Sequence, residues 1–214
     1  MGKEVYESII ACIENGDDVK MEEVLHAAMK EGFSSRDIIQ ESFIPAMNAV
    51  SKKYRNNELF AADVIMSSEA MKTALNILYK ENKAVYTKAK DKILIGTVKH
   101  DVHDLGKTIV ICSLLAAGFC VTDAGVDVDP EDFVKLLKEE KPALVMLSCT
   151  LSYILPELKE TINVIRSDEV GKKIKIIVGG LALNRHIAAE CGADAYAINE
   201  EHAVILAEKF LQEK

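Results

Sequence analysis

Between residues 92 and 212 the chain switches repeatedly between short β-branched apolar runs and amphipathic segments. The runs are KILIGTV, FCVTDAG, ALVMLS, IKIIVGG and ADAYAI. The segments that follow them span 105–117, 130–140, 155–167, 184–191 and 200–212. Strict alternation of this kind is the pattern of βαβ units around a parallel sheet, because parallel neighbours need a crossover to bring the chain back. Five strands with five helices predict an α/β, doubly wound, flavodoxin-like sheet of strand order 2-1-3-4-5.

Residues 1–81 have a different texture. Val5, Ile9, Cys12 and Ile13 repeat at helical spacing; Asp17 or Asp18 can cap a second helix carrying Val24, Leu25, Ala28 and Met29. Ser34 or Ser35 opens a third, in which Pro45 should kink or split the helix. After the polar break RNNE a fourth runs from about Ala61 to Lys80. Four amphipathic helices with short connections predict an N-terminal four-helix bundle. The charged, weakly periodic ENKAVYTKAKD suggests a linker at 82–91, leaving 92–214 as the α/β domain.

Composition removes several classes. A formal charge of −8 argues against non-specific nucleic-acid binding, which depends on neutralising phosphates. No run approaches the apolar length that crosses a bilayer, and the first residues lack a signal peptide's basic and apolar regions. A cytoplasmic protein without membrane or nucleic-acid partners is expected. The cysteines (Cys12, Cys112, Cys120, Cys149, Cys191) form no CxxC pair and read as reduced, small core hydrophobes.

In open α/β sheets ligands bind beyond the carboxyl ends of the strands, at the switch point between the first and third. The unusual residues of this chain fall there. Asp101, Val102, His103, Asp104 and Gly106 follow the first strand; Ser148, Thr150 and Ser152 end the third; Gly179 and Gly180 end the fourth. His103 lies two residues past Asp101, so one ring nitrogen can donate to the carboxylate while the other faces outward, as in a metal-ligating imidazole with its supporting partner. Gly106 allows close backbone approach, Gly179-Gly180 suggests a flat floor, and the three hydroxyls offer donors and acceptors. Each feature alone has an ordinary reading as a loop histidine, a helix cap or a tight turn. Their placement on one edge favours a site.

Other users of such a sheet fit poorly. A phosphorylated receiver domain needs an aspartate ending the third strand and a lysine after the fifth, where this chain has Ser148 and Ile198. DVHDLG is not a flavodoxin phosphate loop, and neither GxGxxG nor a P-loop occurs. His100 and His103 with two aspartates are zinc-ligand types, but no helix face organises them.

DVHDLG, then SxT, then GG, at spacings of about forty and thirty residues, resembles the DxHxxG…SxL…GG fingerprint of cobalamin-binding domains. MNAVSKKYRNNELFAADVIMSSEAMKTALNIL, residues 47–78, is similar to the helical cap module of cobalamin-dependent methionine synthase. The two modules together resemble the corrinoid proteins of anaerobic methyltransferase systems, which serve methylamine, methanol, betaine and aryl methyl ether demethylation. The resemblance implies cobalamin with its dimethylbenzimidazole displaced, His103 as lower axial cobalt ligand and Asp101 hydrogen-bonded behind it. It implies a groove for the displaced nucleotide tail lined by Gly106, Ser148, Ser152, Gly179 and Gly180, flanked by Tyr196, with Tyr54 and Ala61 over the upper corrin face.

The same resemblance implies a non-catalytic methyl carrier cycling between cob(I)alamin and methylcobalamin. Its partners would be a substrate-specific methyltransferase, a methyl-acceptor methyltransferase using tetrahydrofolate or a thiol such as coenzyme M, and a reductive activation protein. The alternative is a cobalamin-dependent sensor or regulator. Such regulators add a DNA-binding head and usually a tryptophan motif, and this chain has no Trp. The small subunit of a radical mutase generally lacks the helical module. The chain departs from the fingerprint at Thr150 (leucine), Ile154 (the hydroxyl completing methionine synthase's relay), Ala61 and Ala62 (a bulky aliphatic and proline), and Thr108 (asparagine).

Overall fold

A computed structural model describes residues 2–81 and 90–212, which fall into two compact units, one helical and one α/β. No described helix is long and apolar enough to cross a membrane.

The helical unit comprises α1 (Gly2–Asn15), α2 (Asp18–Lys30), α3 (Ser35–Ile38), α4 (Ile44–Arg55) and α5 (Ala61–Glu81). Asp17 caps α2 by accepting the Lys20 amide at 3.0 Å, and Ser34 caps α3 by accepting the Asp37 amide at 3.1 Å. Pro45 acts as expected. It sits in the first turn of α4, where its missing N–H is not needed, and the ladder before it widens into a π turn, Ile39–Phe43, in which the Ile44 amide reaches Ile39 O. Ile9, Cys12, Ile13, Met21, Leu25, Phe43, Met47 and Val50 form the core. From α5 come Ala70, Met71, Ala74 and Leu78, small residues alternating with large ones.

In the α/β unit the strands are β1 (Lys90–Thr97), β2 (Phe119–Asp123), β3 (Leu144–Ser148), β4 (Lys175–Gly179) and β5 (Ala195–Tyr196). The helices are α6 (Leu105–Ala116), α7 (Pro130–Glu140), α8 (Leu155–Ser167), α9 (Arg185–Glu190) and α10 (Glu200–Gln212). All strands pair in parallel, in the order β2-β1-β3-β4-β5. This is the order expected from the alternation. β1 takes in Lys90 and Asp91, which the sequence reading gave to the linker; the remainder of that segment, 82–89, lies outside the described residues.

One sheet face and its helices bury Leu94, Val145, Leu147, Ile176 and Val178 against Phe133, Leu137, Leu158, Ile162 and Ile165. All five cysteines are free thiols, and burial pushes Cys112 up to about 12. At the amino edge Asp194 accepts the Ile176 amide and pairs with Lys175 and Arg166, tying the α8 end to β4 and the turn before β5.

Candidate functional site

The strand ends are in register. Thr97 of β1 faces Ser148 of β3, which faces Gly179 of β4. The loops leaving these residues therefore start side by side at the carboxyl edge, where the β1 loop can meet the β3 loop.

Asp101 is the centre of that meeting. Its side chain is fully buried, yet no lysine or arginine pairs with it among the described residues. Its charge is met by hydrogen bonds instead: the His103 amide donates to Oδ1 at 3.0 Å, and the Thr150 amide donates to Oδ2 at 2.6 Å. Oδ1 also meets His103 Nδ1 at 2.7 Å. A carboxylate only accepts, so Nδ1 carries a ring proton and Nε2 is the nitrogen left for another partner. The His103 side chain is about half exposed (51%), and no hydrogen bond reaches Nε2 among the described residues. The result is an imidazole with one nitrogen locked and the other facing outward, where a metal ion can reach it.

The surroundings suit a large, flat ligand. A Cβ at Gly106 would meet nothing within 4 Å, so the first turn of α6 is open to close approach. Each strand is followed by an exposed apolar side chain: Val102 after β1, Val126 after β2, Tyr153 after β3, Leu181 after β4 and Ile198 after β5. Leu181 is 91% exposed and Tyr153 76%, so the carboxyl edge offers apolar surface to a ligand or partner. Ser148, Thr150 and Tyr196 are partly buried; Ser152, Val102 and Gly106 are exposed. Asp104 precedes α6, and its carbonyl accepts the Thr108 amide at 2.8 Å.

The two glycines differ in kind. Gly180 has φ of 132°, and a Cβ there would stand 2.0 Å from the Cys149 carbonyl oxygen. The fold itself demands glycine at that point. At Gly179 a Cβ would make an ordinary contact, 3.5 Å from Ala197 O, so its bare backbone is free to serve a ligand.

Several contributors were not singled out from the sequence. Buried Thr97 donates its hydroxyl to His103 O at 3.4 Å. Lys107, 1% exposed, places Nζ 2.6 Å from both oxygens of Asp123. A lysine within the apolar stretch LGKTIVICSLL was a visible signal. Cys149, buried beside Asp101, is raised to about 11 by burial and by that carboxylate, so it stays a thiol. Tyr54, about half exposed on α4, and Ala61, exposed at the start of α5, belong to the helical unit.

Residues 91–207 match the B12 binding domain, and residues 5–79 match a second family also described as a B12 binding domain. The chain is 34% identical to a corrinoid protein of Desulfitobacterium hafniense, covering 92% of this chain and 93% of that one. The chain belongs to the corrinoid proteins. A dimethylamine corrinoid protein of Methanosarcina acetivorans is 32% identical, over 97% of this chain and 95% of its own. Among solved structures, the monomethylamine corrinoid protein of Methanosarcina barkeri superposes with a TM-score of 0.71 at 26% identity, covering 98% and 99% of the two chains. A chain of the methanol:cobalamin methyltransferase complex of the same organism gives 0.60 at 26% identity, with 99% of this chain and 81% of that one covered. Cobalamin is thus the ligand of this corrinoid protein. Its edge carries features that suit such a group: an outward-facing imidazole nitrogen of the kind that ligates metals, exposed apolar side chains, and a helix start with no side chain to obstruct close approach.

Proposed function

We propose that this corrinoid protein is a methyl carrier, with His103 Nε2 as the lower axial ligand of cobalt and the cofactor's own base displaced. The observation that carries the reading is the His103–Asp101 pair, in which a buried carboxylate holds the ring proton on Nδ1 and leaves Nε2 open. Bound cobalamin supplies a cobalt that accepts and releases methyl groups; the protein supplies the ligand, its orientation and the shape around it.

Asp101 acts through His103. Its two backbone donors keep the carboxylate fixed, and the fixed carboxylate sets the ring plane and strengthens the imidazole as a ligand. Ile154 is buried and apolar, so no hydroxyl at that position extends the pair. Gly106, Ser148, Ser152, Gly179, Gly180 and Tyr196 would line the groove for the displaced nucleotide tail, with Val102, Asp104 and Thr150 beside it. In the same reading, Tyr54 and Ala61 of the helical unit would face the methyl-bearing side of the bound cofactor.

The partners are a substrate-specific methyltransferase, a second methyltransferase that receives the methyl group on tetrahydrofolate or a thiol such as coenzyme M, and a reductive activation protein. Relatives named for methylamines and for methanol support a donor whose methyl sits on nitrogen or oxygen.

The ligand assignment is tested by electron paramagnetic resonance of the Co(II) form loaded into 15N-labelled protein. A protein nitrogen on cobalt gives doublet splitting; the cofactor's own unlabelled 14N base gives a triplet. The doublet is expected, and His103→Ala should abolish it. A triplet in the unmutated protein overturns the assignment.

A further inference from the structure

The loop leaving β2, DAGVDVD at 123–129, carries three aspartates, and each grips a residue bordering the histidine loop. Asp129 pairs with Lys99 Nζ. Asp127 Oδ1 accepts the His100 amide at 2.7 Å. Asp123 takes Lys107 Nζ on both oxygens, and the Gly125 amide, at 2.9 Å, steadies the same carboxylate. The gripped residues, 99, 100 and 107, bracket the stretch from Asp101 to Gly106.

The backbones join as well. The Asp127 amide donates to Asp101 O at 2.9 Å, so Asp127 holds the chain on both sides of the His100–Asp101 link. Gly125 O accepts the Thr97 amide at 3.0 Å, and the Val128 amide donates to Thr97 O at 3.1 Å. His100 and Asp127 both have left-handed backbone, with φ of 66° and 52°. Residues with a Cβ avoid that conformation, and Asp is among the few that tolerate it. His100, directly before Asp101, is locked to Asp127 of the neighbouring loop, and the two together fix where the Asp101 carboxylate stands.

We propose that the β2 loop is a positioning clasp for the cobalt-facing histidine, with Asp127 as its central positioning residue. The proposal rests on the reading of His103 as the cobalt ligand. Metal-facing side chains must be held to within about half an ångström to bind productively. His103 is half exposed, and among the described residues it is held through Asp101 and the Thr97 hydroxyl on its carbonyl. Asp101 in turn depends on the peptides at 100 and 101, which Asp127 grips. The clasp therefore reaches the metal through a chain of hydrogen bonds without touching it.

Two substitutions separate this role from plain support of the fold. Asp127→Asn keeps an acceptor and tolerates the left-handed backbone. Asp127→Gly suits the backbone better still but removes the acceptor. In the cofactor-free protein, amide hydrogen exchange should speed up at His100 and at His103 in Asp127→Gly, with Asp127→Asn close to the unmutated protein. On titration with hydroxocobalamin, Asp127→Gly should bind about tenfold more weakly and show a smaller histidine-ligated fraction at saturation. Unchanged exchange at His103 in Asp127→Gly overturns the clasp, whatever His103 does to cobalt. A 15N-labelled protein without doublet splitting instead overturns the ligand reading, and the clasp is then judged by exchange alone.

Discussion

The Thr150 amide donates to Asp101 Oδ2 at 2.6 Å, joining residues 49 positions apart at the point where β1 and β3 end. Asp101 is therefore held by the sheet as well as by its own loop, and His103 inherits that rigidity. Asp101→Asn puts an amide where a carboxylate now accepts two backbone N–H groups and a ring N–H, so one donor loses its partner. Cobalamin affinity should fall about 10–100-fold with the fold retained. Titration with hydroxocobalamin, alongside far-ultraviolet circular dichroism, measures both. Unaltered affinity would remove Asp101 from the site.

The glycine pair should divide on mutation. Gly180→Ala forces a Cβ against Cys149 O in a backbone that side chains rarely adopt, and should cost at least about 3 kcal/mol. Gly179→Ala, with only an ordinary contact to Ala197 O, should cost less than about 1 kcal/mol. If the nucleotide tail lies against Gly179, that mild substitution should nonetheless weaken cobalamin binding. Urea unfolding and cofactor titration on the same two proteins read the two effects separately. Equal destabilisation by both would contradict the geometry.

Tyr54 and Ala61 carry the expectation for the helical unit. A carrier needs the methyl-bearing face covered at rest and open at each transfer, and a helical unit that moves aside as a body meets both needs. Tyr54→Ala should speed oxidation of the reduced cofactor, and Ala61→Leu should slow methyl transfer by filling the approach. Stopped-flow oxidation and transfer assays with a cognate methyltransferase check each. No change in either rate means these residues do not cover cobalt.

Asp194 gives a prediction about pH. Burial acts to raise its carboxyl, but the Ile176 amide, Lys175 and Arg166 outweigh burial and hold it below the ordinary carboxylate range. A depressed folded pKa contributes stability that is present in full above the unfolded value, about 3.9, and is lost as pH falls through the folded one. Asp194→Asn should cost about 2 kcal/mol at neutral pH and shrink the loss of stability on acidification. Urea midpoints at pH 7 and pH 3 test both parts; a mutant as stable as the unmutated chain at pH 7 removes this contribution.

The sheet was legible in the sequence because its cause is local. β-branched runs and amphipathic segments report, within a few residues, which faces are buried, and their alternation admits few topologies. The Asp101–His103 pair was legible for the same reason: two residues of spacing bring both side chains to one turn. Helix starts at Ser34 and Asp17 were readable from short polar side chains capping nearby amides. Tertiary structure alone decided what holds these parts. The donor from the β3 loop to Asp101 is a backbone amide, which every residue except proline carries, so no side-chain identity announces it. Gly180 reads as a turn or a ligand floor until the Cys149 carbonyl is found in the space of its missing Cβ. Asp123 and Asp127 read as ordinary loop acids until the sheet sets the β2 loop beside the β1 loop, 16 and 27 residues from Lys107 and His100. Such contacts depend on which strands are neighbours, a property of the assembled sheet that no periodicity along the chain encodes.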